Sequence, residues 1–219
     1  NKFIISFFYY LDCYFKINLS FFLRIYFKYF LKIDKYDLFH FHFLNHKMIY
    51  IIKNLKYFDK KIIVTFHGAD IQFSKKINYG FRLNKYYERS LRDVILKIDF
   101  FHAISKSIKK DIIKLGVNKK KIFLLPNTVS LDKIKKFKNL TKNIKKKIYI
   151  ITVTRFAKTT KGLDLVPKIA ETLFKNNINY KWTFVGKNVH KIKHFNNMKL
   201  YKKNFQFYEN IQKFNEYIL

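Results

Sequence analysis

A chain of 219 residues can build one large or two small domains, and an apolar content of 49% is enough for a real core. The net charge of +32 invites a nucleic-acid reading. The lysines, however, are spread along the chain, with no basic helix or aromatic sheet motif to gather them. A single cysteine, Cys13, excludes an internal disulfide and a multi-cysteine zinc site and fits a reducing, cytoplasmic setting. Lys, Asn, Ile, Phe and Tyr dominate, as A/T-rich coding favours, so most of the charge reads as solvated surface.

Residues 1–32 are rich in Phe, Tyr, Ile and Leu, but Asp12, Lys16, Arg24 and Lys28 interrupt them. No uncharged apolar run approaches the roughly 20 residues that a spanning helix needs. No small-residue cleavage site follows, which argues against a signal peptide. Asp12, Lys16, Ser20, Arg24 and Lys28 recur at every fourth position, a drifting polar stripe on an apolar helix. Two readings stay open: a helix packed on a sheet, or an interfacial helix with aromatic anchors and cationic edges against an anionic membrane.

Farther along, short apolar runs alternate with helical patterns. Strands are expected at 37–43, 61–66, 99–104 and 121–125, and helices at 46–55, 79–96 and 106–115. Ser105 is a plausible N-cap, and Gly116 stands where a helix ends in a left-handed residue. Residues 131–147 are dense in lysine and weak in apolar pattern, a linker between domains at 1–140 and 141–219. The alternation then restarts with strands at 148–153, 181–185 and near Phe205, and a helix over 163–176. With Asp164 as N-cap, Pro167 falls in the first helical turn, where its missing N–H costs nothing. Such alternation implies an α/β fold with parallel sheets. No dinucleotide fingerprint or phosphate-binding glycine loop is present.

Two strand ends carry the chemistry. Arg155 and Lys161-Gly162 follow the 148–153 strand and precede a helix. A guanidinium, an ammonium and free helix N–H groups can together hold a diphosphate. The other strand end is Ile62-Ile-Val-Thr-Phe-His-Gly-Ala-Asp70. His40 and His42 share a strand face near His46, which raises a metal site. No carboxylate or cysteine completes that set, so cleft-lining or partly buried histidines are expected and no metal. His102, His190 and His194 carry no distinct signal.

Five ordered elements resemble a family. They are Asp37-Leu-Phe-His-Phe-His42, Val64-Thr-Phe-His-Gly-Ala-Asp70, Phe101-His-Ala-Ile-Ser105 with Leu115-Gly-Val117, Leu125-Pro-Asn-Thr-Val129, and Val153-Thr-Arg-Phe-Ala-Lys-Thr-Thr-Lys-Gly-Leu163. In order and spacing they are similar to retaining glycosyltransferases of family 4, many of which build lipopolysaccharide and other surface glycans. The resemblance runs from about Tyr36 to Val185. It implies a GT-B architecture of two Rossmann-like domains with parallel sheets, the second incomplete here. It also implies a metal-independent hexosyl transfer, with no cofactor beyond a nucleotide-sugar donor, to a glycan or lipid-linked acceptor. Arg155 and Lys161 match the residues that hold the donor diphosphate, and His67 matches a histidine near the reacting centre. Gly162 and Gly186 match donor-side positions, and Gly68, Asp70 and Asn127 match positions lining the cleft between the domains.

The sequence departs from the pattern in three places. Thr128 stands where the family has glycine, the glycine-rich loop of the first strand is not seen, and no downstream glutamate pair is present. The expectation is a middle portion of such an enzyme, inactive on its own. A membrane-bound scaffold without activity and a nucleic-acid-binding module are the alternatives.

Overall fold

The computed structural model describes residues 2–15, 19–128, 147–195 and 198–209. The chain forms two compact units, Asn1–Val129 and Ser130–Leu219. The expected linker at 131–147 lies, except for Lys147, outside the described residues.

The first unit is built on a parallel sheet in the order β1 (Leu38–His42), β2 (Lys61–Phe66), β3 (Phe100–Ala103), β4 (Ile122–Leu124). Parallel neighbours joined in chain order need right-handed crossovers, and repeated crossovers of one hand deliver their helices to one face. Accordingly α3 (His46–Leu55), α4 (Lys85–Ile95) and α5 (Lys106–Lys114) share one core with the sheet. Ile49, Ile52, Tyr87, Leu91, Ile108 and Ile112 pack with Val64, Phe66, Phe101 and Ala103. Strand side chains alternate between faces. His40, His42, Thr65 and His102 therefore stand on the face opposite those helices, in the register His40↔Ile63, His42↔Thr65 and Thr65↔His102.

Three helices begin where the sequence supplies a cap. Asn45, Asn84 and Ser105 each accept a backbone N–H of the first turn, from Met48, from Tyr86 and Tyr87, and from Ile108. Gly116 has φ +90°, as a helix-ending residue should. Residues 79–96 are not one helix. Ser74 and Tyr79 form an antiparallel bridge, Phe81–Leu83 is a 3-10 turn, and α4 starts only at Lys85 behind its Asn84 cap. Arg82 braces this corner with a two-pronged contact to Glu88 at 2.6 and 3.0 Å.

Before β1 lie α1 (Lys2–Phe15), α2 (Ser20–Ile25) and a π-helical stretch, Tyr26–Phe30. Ile5 and Phe8 pack on the core, as the packed-helix reading expects, while Phe3, Phe7, Phe21, Phe22 and Phe30 stay exposed. The polar stripe does not form one outward edge. Arg24 turns onto the Tyr57 ring, 3.9 Å from its centre. No helix among the described residues is long and apolar enough to cross a membrane.

The second unit carries β5 (Ile148–Val153), β6 (Tyr180–Val185) and β7 (Phe205–Tyr208), parallel and in that order. Trp182, Phe184, Phe205 and Phe207 stack across one face, under α6 (Val166–Lys175) and the 3-10 segments Val189–His194 and Met198–Asn204. The helix expected from 163 opens with a 3-10 turn, Leu163–Leu165. Asp164 is not its cap: Leu165 holds the N-cap position, with no side-chain cap bond. Pro167 still falls in the first turn.

Candidate functional site

In the first unit the histidines gather at the C-terminal end of the sheet, the end where open α/β sheets bind ligands. Strand periodicity places them there, and hydrogen bonds then fix them. His40 Nε2 lies 2.7 Å from Thr65 Oγ1, which lies 3.1 Å from His102 Nδ1. His102 Nε2 lies 2.7 Å from the Leu125 carbonyl, which can only accept, so that nitrogen carries the proton. With that as its one ring proton, His102 would accept the Thr65 hydroxyl proton at Nδ1, and Thr65 would accept from His40. Burial, followed by neighbouring His42 and His102, lowers the His40 pKa from its ordinary value. His67 itself is exposed and touches His42, Nε2 to Nδ1, at 3.3 Å.

Asp70, expected to line the cleft, forms a joint within the first unit. It is fully buried, and its carboxylate accepts from the N–H groups of Leu44, His67 and Gly68 at 3.0, 3.0 and 2.9 Å. It ties the loop after β1 to the loop after β2. Burial pushes its carboxyl up from the usual carboxylate range while those N–H donors pull it back. Tyr87 Oη lies 2.7 Å from the Asp70 carbonyl and 2.9 Å from that of Leu44, sealing the same joint. Gly68 is buried too, at φ +133°. Asn127 is exposed, and neither it nor Thr128 has a positive φ, so the turn does without the family glycine.

In the second unit Arg155 and Lys161 are both exposed, and among the described residues neither is engaged by an acid. The backbone around Arg155 is fixed on both sides, Thr154 N–H to Val185 O and Phe156 N–H to Lys187 O, each at 2.9 Å. The expected helix N–H donors are largely spent. Those of Lys161, Gly162, Asp164 and Leu165 bond within the loop, that of Val166 bonds Leu163 O, and Pro167 has none. Holding an anion here falls to the two side chains.

Gly186 is buried, its N–H donating to Tyr208 O and its carbonyl accepting from Val189. Its φ is +133°, and a Cβ would stand 2.1 Å from the Thr154 carbonyl. It lets the β6 end press against the residue before Arg155. Among the described residues no group of histidines, cysteines and acids could hold a metal. His46 stands apart from His40 and His42, ring to ring with Tyr87, and burial lowers its pKa.

The model of Glycosyltransferase Family 4 matches residues 3–133, more than half of the sequence. The chain belongs to that family. Arg155 and Lys161 lie beyond the matched residues. No curated protein sequence matches the chain.

Solved structures share the fold at low identity. The Anabaena HepE protein, in complex with UDP and glucose, superposes with TM-score 0.55 and 12% identity over 89% of this chain and 53% of its own. The lipopolysaccharide outer core galactosyltransferase WaaB gives 0.53 and 18% over 91% and 52%. A UDP-GlcNAc 2-epimerase from Neisseria meningitidis, bound to UDP-GlcNAc, gives 0.51 and 15% over 87% and 54%. The two parallel sheets with their helices are GT-B in type. The chain spans about half the length of these structures.

His102 escaped the sequence reading. Only the register Thr65↔His102 brings it into the histidine row, and pairing between positions 37 residues apart leaves no local mark.

Proposed function

We propose that this glycosyltransferase family 4 chain belongs to an enzyme that moves a sugar, with retention, from a nucleotide-activated donor to a glycan or lipid-linked acceptor. Exposed Arg155 and Lys161 carry the reading: two cations in the loop after β5, without a competing acid among the described residues and with little help from backbone N–H groups. They would hold the donor diphosphate and stabilise charge on the departing nucleotide, which needs no metal. His67 would serve the reacting centre.

The test is transfer of labelled sugar from a panel of nucleotide donors by the full-length protein. Arg155→Ala or Lys161→Ala should each slow it on the order of 10²–10³-fold. Normal turnover in both variants refutes the assignment. Donor binding without any transfer, in the full-length protein, favours the scaffold reading instead.

Acceptors on lipid would be reached by peripheral contact with an anionic membrane through exposed Phe3, Phe7, Phe21, Phe22 and Phe30, among scattered lysines. Binding to anionic liposomes should fall as salt rises. Equal partitioning to neutral vesicles, or none to either, rejects the electrostatic part.

A further inference from the structure

We infer that His42 is a positioning residue for His67, setting which ring nitrogen of His67 carries the proton and which ring edge is offered outward. This rests on the reading above that His67 serves the reacting centre. The contact joins His42 Nδ1 to His67 Nε2 at 3.3 Å. Between two neutral imidazoles one nitrogen must donate and the other accept. Whichever holds the shared proton, the tautomer of one ring dictates that of the other. His67 Nδ1 is left as the edge free to meet a ligand.

The surroundings hold the pair in place. His42 ends β1 in register with Thr65, and His67 comes two residues after Thr65, just past the end of β2, where its ring meets that of His42. The backbone beyond each is pinned to a common point. Leu44 N–H and His67 N–H both donate to Asp70, and Phe43 N–H donates to Thr65 O at 3.1 Å. On its far side His42 meets the His40 ring, 4.2 Å between centres, and His40 is itself held by Thr65. Immediately after His42, Phe43 has φ +61°, a left-handed conformation that a bulky side chain rarely adopts. Strain of this kind persists where the surroundings enforce it, and it gathers at functional sites.

The experiment is imidazole nitrogen NMR on the full chain labelled at its seven histidines, at a pH where the rings are neutral. Rings are assigned by single substitutions. In the wild type His67 should populate one tautomer predominantly. In His42→Ala the ratio should relax roughly fivefold, the population equivalent of one ordinary hydrogen bond. His42→Asn, whose amide stands where Nδ1 stood, should restore much of the bias. His102 is the internal control, because the Leu125 carbonyl fixes its tautomer independently.

Equal His67 tautomers in the wild type, or a ratio unmoved by His42→Ala, would overturn the inference, and the wild-type spectrum decides even where a variant misfolds. The two ideas fail separately. A bias lost in His42→Ala, together with normal sugar transfer by His67→Ala, would leave the pairing standing and remove His67 from the reaction.

Discussion

The loop after β2 and the loop after β5 both leave the C-terminal end of a parallel sheet, yet they are held by opposite means. After β2 a buried carboxylate does the work: Asp70 collects three N–H groups from two loops, and the histidines it positions are tied to one another. After β5 no buried polar side chain takes part among the described residues. The loop bonds to itself and to the β6 end through backbone groups, and its cations point outward, unmatched by acids among the described residues. One loop spends its polar side chains on its own architecture, while the other leaves its cations exposed. The difference teaches which residues can be removed without unfolding anything.

The largest expected effect on stability is at Asp70. Asp70→Ala strands three N–H donors in a buried joint and should cost the first unit about 3 kcal/mol or more. Asp70→Asn, which keeps an acceptor, should cost less. Denaturant midpoints check this, and an unmoved midpoint in Asp70→Ala breaks the contrast. Next comes Gly186→Ala, at about 1–3 kcal/mol, because a backbone carbonyl stands where its Cβ would go at a strained φ. Gly68 has the same φ, but its obstacle is the Tyr79 hydroxyl at 2.8 Å, the end of a movable side chain. Gly68→Ala should therefore cost less than Gly186→Ala, and the reverse order in thermal melts would undo that reasoning. Arg155→Ala and Lys161→Ala should shift stability by no more than about 0.5 kcal/mol.

The smallest effect is with pH. His40 and His46 have folded pKa values depressed by burial, so the unfolded chain binds more protons. Their contribution is present above the ordinary histidine pKa and is lost as pH falls through it toward the depressed folded values. Melting temperature should decline between about pH 7 and pH 5, and less steeply in His40→Gln. A melt independent of pH in that window contradicts the histidine row.

Strands, caps and the order of elements were legible in the sequence because local chemistry writes them. Ser105 and Gly116 mark the two ends of α5, and β2 and β5 are runs of residues suited to burial. The 79–84 corner was not legible. It depends on the Ser74–Tyr79 bridge and on Arg82 meeting Glu88, contacts that compete with a continuous helical pattern and win. The site was half legible. Arg155 and Lys161 stand out by their position after a strand. Asp70 was expected in the cleft only because it matches a family position, and only the fold shows that its partners are Leu44, 26 residues away, and its own turn. The Asp164 cap failed for a similar reason: the turn closed as 3-10 around Gly162 at φ +65° and carried the helix start past it.

The most direct measurement is calorimetric binding of a nucleoside diphosphate to the full-length protein and three variants. Each charge-assisted contact is worth about 1.5–3 kcal/mol, so Arg155→Ala and Lys161→Ala should each weaken binding roughly 10–100-fold. His67→Ala should leave the affinity nearly unchanged, since the account gives it the reacting centre and not the phosphates. Wild-type affinity in both cation variants, or a loss in His67→Ala as large as theirs, would contradict the claim that the β5 loop holds the donor.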